Sequence, residues 1–271
     1  MPIDRRRLMV GAAGLGLPTL LASAAPAAIA QSSARTWLRL VADLSEEPMV
    51  AVTRGDVWGF KPQADDLTPE AFAKRLYGYW SLAVRQARNR PDGGVVLSTK
   101  AWSFYLDPQS GAVVDHIANP YKGTVVSCPP LSGPVSTALY PADGAPDAHA
   151  GAALGLTDRR MGERAWVGVN RISRFKPSDT TWFKLEADLT SYACKAADLD
   201  NGALTHVPNS WSHNLVAEWQ TWMRMHGDPG HILFKGDGAF VPGLQQAPPE
   251  LLAAIDAHFP GTMPPIAAWR R

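Results

Sequence analysis

From Trp182 to Leu189 polar and apolar side chains alternate without interruption, Trp182, Lys184, Glu186 and Asp188 on one parity and Phe183, Leu185, Ala187 and Leu189 on the other. A period of two sends successive side chains to opposite sides of a β-strand, so Thr180 to Leu189 reads as a strand with two chemically different faces. Ala165 to Phe175 precedes it, and Lys176-Pro177-Ser178-Asp179 between them is turn-forming, which makes the pair an antiparallel hairpin. With a four-residue loop, Phe175 faces Thr180, Arg171 faces Lys184, and Glu186 lies diagonal to Arg171. The charged face is then either a barrel interior, where Arg171, Lys184, Glu186 and Asp188 pair beside a ligand, or a solvated exterior. Alternation alone does not choose between them.

Other segments repeat the β theme. Thr36 to Ala42 and Met49 to Thr53 read as strands around a turn at Ser45-Glu46-Glu47-Pro48. Val95 to Leu106, Ala112 to Ala118 and Thr124 to Cys128 form a three-stranded meander through turns at Asp107 to Gly111 and Asn119 to Gly123, where Pro sets φ and Gly supplies positive φ. His231 to Lys235 and Ala239 to Val241 flank a Gly236-Asp237-Gly238 turn. Two helices interrupt the strands. Thr68-Pro69-Glu70 is a helix start, and Phe72, Leu76, Tyr79, Trp80 and Ala83 continue it at helical spacing to about Arg88. Pro249 to Phe259 is the second, ended by Pro260-Gly261. A short helix or a strand fits Trp219 to Met225. Residues 129–162, rich in Pro, Gly, Ala and Asp, read as one long loop, either a lid or a surface excursion.

The N-terminus has another character. Arg5-Arg6-Arg7, a weakly apolar stretch from Gly11 to Leu21, and Ala28-Ile29-Ala30 follow the charged, apolar, small-residue order of a secretory signal. The pattern resembles the twin-arginine type, with Arg5-Arg6 in the arginine positions and Leu8-Met9 as the apolar pair, although Asp4 replaces the usual hydroxyl residue. Gly11, Gly14, Gly16 and Pro18 leave too short an apolar run for a spanning helix, which needs about 20 residues. The expectation is a signal peptide over residues 1–30 that engages the export machinery, and one periplasmic or secreted domain over 31–271 without stable membrane insertion. Of 26 basic and 25 acidic residues, that segment removes Arg5, Arg6, Arg7 and Asp4, leaving a net charge of −1. No clustered basic face points to nucleic acid. Cys128 and Cys194 either bridge in an oxidising compartment or stay as buried thiols.

Chemistry is constrained first by what is missing. The chain has no dinucleotide or P-loop glycine signature, no His-Glu-x-x-His and no Gly-x-Ser-x-Gly. Its seven histidines are scattered, and no spacing marks a metal site. Neither a cofactor nor a metal is expected. Ten tryptophans are many for this length, enough to line a pocket for a hydrophobic ligand as well as a core. The candidate catalytic residues are His116, Arg171 and Glu186, for proton transfer and charge stabilisation. Trp102, Asn119, Tyr121, Trp182 and His213 are the candidate ligand-binding residues.

Taken together, Tyr105-Leu106-Asp107-Pro108, Gly111, Asn119-Pro120-Tyr121-Lys122-Gly123, Trp182-Phe183-Lys184-Leu185-Glu186, Trp219-x-x-Trp222-Met223, Gly227 and Pro229-Gly230 resemble the bacterial and fungal family called domain of unknown function 1838. The similarity spans about Trp37 to Pro265. It implies one domain, often exported, and carries over no catalytic residue. Where a histidine is expected soon after the Asn-Pro turn, this chain has Cys128-Pro129-Pro130, so no role attaches to that position.

The expected fold is mainly β (α+β), a single antiparallel barrel or strongly curved sheet with two or three flanking helices. The expected function is a cofactor-independent lyase, hydratase or isomerase acting on a hydrophobic aromatic or terpenoid-like small molecule. The alternatives are a non-catalytic periplasmic carrier of a hydrophobic ligand and an interaction domain without one.

Overall fold

The structure is a computed structural model that describes residues 35–62, 73–140, 153–175 and 184–263. The expected export segment, the helix start at Thr68-Pro69-Glu70 and the candidate Trp182 lie outside these residues. The strands are β1 (Met49–Phe60), β2 (Ala73–Asn89), β3 (Val95–Leu106), β4 (Val113–Val114), β5 (His116–Asn119), β6 (Thr124–Ser127), β7 (Leu131–Ser132), β8 (Ser136–Tyr140), β9 (Ala153–Met161), β10 (Arg164–Phe175), β11 (Lys184–Lys195), β12 (Asn209–Ala217) and β13 (His231–Val241). Helices are α1 (35–41), α2 (Ala196–Asp200) and α3 (Pro249–His258), with a 3-10 turn at Thr221–Met223. Among the described residues no helix is long and apolar enough to cross a membrane.

Eleven strands form one antiparallel sheet in the order β4-β3-β2-β1-β13-β12-β11-β10-β9, with β7 and β8 also paired to β3. The ribbon β5-β6 stands apart. This overturns the barrel expectation. A barrel needs a hydrogen-bond ladder that returns on itself, whereas here β9 ends one side and the short partners of β3 end the other, with no pairing between them among the described residues. The protein is one large open sheet with few helices.

Several expected elements are also corrected. Thr36 to Ala42 is helical over 35–41 rather than a strand. Leu38, Leu40 and Val41 are buried on an apolar cluster, and Arg39 donates to the carbonyls of Leu199, Asn201 and Leu204 at the end of α2, which ties the helix down. The helix expected up to Arg88 is strand β2. Leu76, Tyr77, Tyr79, Trp80, Leu82 and Val84 are all buried, because β2 is central and covered on both faces. A strand apolar on both parities also satisfies a helical template. Gly236-Asp237-Gly238 is no turn but the middle of β13. Within 129–162, expected to be one loop, residues 129–140 and 153–162 contain β7, β8 and β9. The hairpin loop after β10 is longer than four residues, so Phe175 pairs with Lys184 and Arg171 with Asp188. Helix α3 forms where expected. It packs Leu251 and Ile255 against Val50, Leu82, Trp102 and Phe104 on one face of the sheet. Cys128 and Cys194 are buried free thiols in different clusters.

The register defines the opposite face. Tyr79 pairs with Gly55, Gly55 with Gly236, Gly236 with His213 and His213 with Thr190, so these five positions form one row across β2, β1, β13, β12 and β11. Paired residues share a face, which places Ser81, Arg85, Trp211, Tyr192, Asp188, Glu186 and Arg171 on the same side. One end of this face is an apolar cluster with α1, including Ala51, Leu97, Tyr140, Val167, Tyr192 and Trp211. The other end is an aromatic cluster with Val57, Tyr77, Tyr105 and Ile232.

Strand β11 is inside out. On its apolar parity Leu185 is 53% and Leu189 42% exposed, with Ile172 of β10 at 51%. On its charged parity Glu186 and Asp188 are half-buried and Thr190 is buried. Apolar groups left in water and charges turned toward a core both cost stability, and charges survive inside only when paired. That inversion marks the inward face as the place to look for chemistry.

Candidate functional site

The site is built by side chains lying down along the sheet. Tyr79 projects from β2 across β1 and β13, and it can do so because both strands carry glycine beneath it. A Cβ on Gly236 would collide with the Tyr79 hydroxyl, and one on Gly55 would meet its ring. The Tyr79 Oη thereby reaches Nδ1 of His213 at 3.3 Å. A second side chain uses the same device, since a Cβ on Gly238 would run into the Trp211 indole.

On the far side of His213, Nε2 lies 3.7 Å from Oδ1 of Asp188, and Oδ2 of Asp188 lies 3.6 Å from Nη2 of Arg171. The Thr190 hydroxyl donates to Oδ1 of Asp188 at 2.7 Å. A Tyr79-His213-Asp188-Arg171 chain therefore runs from β2 to β10. Beside it the Ser81 and Ser103 hydroxyls meet at 2.8 Å. Among the described residues, no group of three His, Cys, Asp or Glu side chains comes together as a metal cage.

Electrostatics assign protonation states. Burial lowers the His213 pKa below its ordinary value; Asp188 and Glu186 oppose that, while Arg171 and Arg85 reinforce it. The imidazole is therefore neutral near pH 7. Tyr79 is pushed well above the usual phenol range, chiefly by burial and then by Asp237, Asp56 and Asp188. A protonated phenol donates to Nδ1, which leaves the His213 proton on Nε2, pointing at Asp188. The arrangement can accept one proton at His213, stabilise the resulting imidazolium with Asp188, and donate a hydrogen bond from Tyr79.

The structure brings together three residues singled out in the sequence, Arg171, Glu186 and His213. It separates the other described candidates. His116 is exposed on the β5-β6 ribbon, with its Nδ1 2.7 Å from Asp115. Trp102 is fully buried beneath α3 on the opposite face and donates to Thr262. Asn119 is buried, donates to the carbonyl of Met223 and accepts from the Tyr121 amide, so it fixes a turn. Tyr121 donates to the carbonyl of Gly59 at 2.6 Å and stacks edge-on against Trp219.

Sequence reasoning missed Tyr79, Arg85 and Thr190 as site residues. Tyr79 and Arg85 were hidden by the helical reading of β2. The available signal was Gly236-x-Gly238 in a strand context, since a glycine inside a strand often marks the close approach of another group. Compared with protein-family models and with curated proteins, the chain finds no match.

Proposed function

We propose that the protein is a cofactor-independent enzyme that moves a proton on a small molecule with a hydrophobic body and a carbonyl group, an isomerase or lyase chemistry. In this reading neutral His213 removes a proton from a carbon next to the carbonyl. The Tyr79 hydroxyl turns its hydrogen from Nδ1 to the carbonyl oxygen, which frees the Nδ1 lone pair; the C–H bond then breaks, an Nδ1–H bond forms, and the electron pair moves onto the carbonyl oxygen that Tyr79 holds. Asp188 stabilises the imidazolium, held in place by Thr190 and Arg171. His213 then returns the proton, at another carbon in an isomerisation, or, in an elimination, to the leaving group that the electron pair expels. Aromatic clusters flank the face at both ends, with Trp211 and Tyr192 in one and Tyr77, Tyr105 and Phe234 in the other, surroundings that suit a hydrophobic substrate.

The observation that carries this reading is the Tyr79-His213-Asp188 chain on an inward-facing charged strand. A carrier needs an apolar cavity and gains nothing from a neutral imidazole between a phenol and a carboxylate. Work in the periplasm or outside the cell, after export on the residue 1–30 signal, belongs to the same proposal, as does kinship with the domain of unknown function 1838 family. The test is incubation with a panel of hydrophobic carbonyl compounds in deuterium oxide, read by mass spectrometry. Deuterium uptake at carbon by the native chain and its loss in His213→Gln supports the reading. No uptake with any compound, or uptake that persists in the variant, overturns it.

A further inference from the structure

Arg85 is a cation on the inward face that the proton-transfer chain does not use. It stands on β2 in register with Met49 and Thr99. Its guanidinium carbon lies 6.0 Å from the Trp211 ring centre and 5.8 Å from that of Phe240. To reach them it lies over β1 near the row where Ala83, Ala51 and Phe240 are paired, and the two alanines leave room. The Tyr192 hydroxyl is beside it; burial raises the Tyr192 pKa and the guanidinium opposes that only in part, so the phenol keeps its proton and can donate. Tyr140 and His213 also feel its charge.

Two other charges on this face answer each other. Arg171 faces Asp188, and Asp188 faces both Arg171 and His213. Among the described residues no carboxylate lies within ion-pair distance of Arg85, and its neighbours are aromatic faces and phenols. Rings hold a guanidinium in place through their negative faces but do not neutralise it. A half-buried cation without a carboxylate, kept next to a neutral histidine, is a prepared position for a negative group.

We propose that Arg85, with the Tyr192 hydroxyl, is the anchor for a carboxylate on the substrate, so that the protein acts on hydrophobic carboxylic acids. The inference rests on the proton-transfer reading for the position of the reacting end. A guanidinium edge and a phenol offer parallel donors to the two oxygens of a monoanion. Trp211 and His213 are two residues apart on one face of β12, about 7 Å of strand. An acid held by Arg85 above Trp211 therefore extends its body toward His213 and Tyr79. A single guanidinium carries one positive charge, which fits a carboxylate better than a phosphate dianion.

The experiment is calorimetric binding of benzoate and 3-phenylpropionate, their neutral amides, and phenyl phosphate. The native protein should prefer at least one acid over its amide by about tenfold or more, the size expected for one charge-assisted contact. Arg85→Gln should lose that preference, and His213→Gln should keep it. Arg85→Lys, which retains the cation, should keep it with several-fold weaker affinity, and it is the deciding variant if Arg85→Gln does not fold. Binding of no acid, equal binding of acid and amide, preference for the phosphate, or preference surviving in Arg85→Gln would each overturn the assignment. An Arg85-dependent preference together with absence of deuterium uptake would leave the anchor standing and remove only the proton-transfer reading.

Discussion

The Tyr79 hydroxyl meets Nδ1 of His213 at 3.3 Å although their strands are separated by two others, and the glycines beneath the ring make that reach available. A methyl group at position 236 points at the phenol oxygen. Gly236→Ala should therefore displace Tyr79 and cost roughly 1–3 kcal/mol as an overpacked site. Denaturant unfolding measures the stability loss. Under the proposed function, deuterium exchange on a substrate should fall together with it. Unaltered stability would mean that the ring does not lie over β13.

The lowered pKa of His213 sets a pH dependence for activity. In the proposed mechanism the base is the neutral imidazole, so the rate should be level above the folded-state pKa and fall as pH drops through it, with a midpoint below the ordinary value of 6.5. A rate profile centred at or above that value would contradict the burial of His213.

The same shift acts on stability. With the folded pKa below the unfolded one, the unfolded chain binds more protons between the two, so stability is fully present above about pH 6.5 and declines as pH falls through that window. His206, lowered by burial beneath α1, contributes with the same sign. Unfolding free energies at pH 7.5 and pH 5 should differ in the native protein, and less so in His213→Gln.

Burial is the main cause of the lowered His213 pKa, Asp188 opposes it, and Arg171 and Arg85 add to it. Asp188→Asn removes the opposing charge and leaves both cations, so the imidazole pKa should fall further. The acidic limb of the rate profile should move to lower pH, and the maximal rate should drop because the imidazolium loses its counter-charge. NMR titration of the His213 ring measures the first effect directly. A shift to higher pH would show that Asp188 does not face the ring.

Much of the β character was legible in the sequence, because turn residues and alternation are local signals. The strand pairs around 165–189 and the helix from Pro249 needed nothing beyond them. The site was less legible, for two physical reasons. Residues of β2 are buried on both parities, so the pattern that would separate strand from helix is absent. The hairpin register depends on loop length: the eight residues 176–183 between the strands, rather than four, move the partner of Arg171 from Lys184 to Asp188. A slip of four keeps every side chain on its face, which is why Arg171 and Glu186 were grouped correctly although their partners were not. Closure of the sheet is a non-local property of β3 and β9, and no local pattern encodes it.

Orientation of β11 can be tested without any ligand. Leu189 points away from the candidate site and is 42% exposed, whereas its neighbour Thr190 is buried and donates to Asp188. If the strand is inside out, Leu189→Lys places an ammonium in water and should change stability by no more than about 0.5 kcal/mol, as at other exposed sites. Thr190→Val keeps the shape and removes the hydroxyl, leaving one oxygen of a half-buried carboxylate short of a donor, which should cost about 1–3 kcal/mol. A conventional strand, with leucines inward and charges outward, predicts the reverse order: a severe loss for the lysine and almost none for the valine. Unfolding curves for the two variants measured side by side decide between the orientations, and with them whether Asp188, Glu186 and Arg171 share a face with His213 at all.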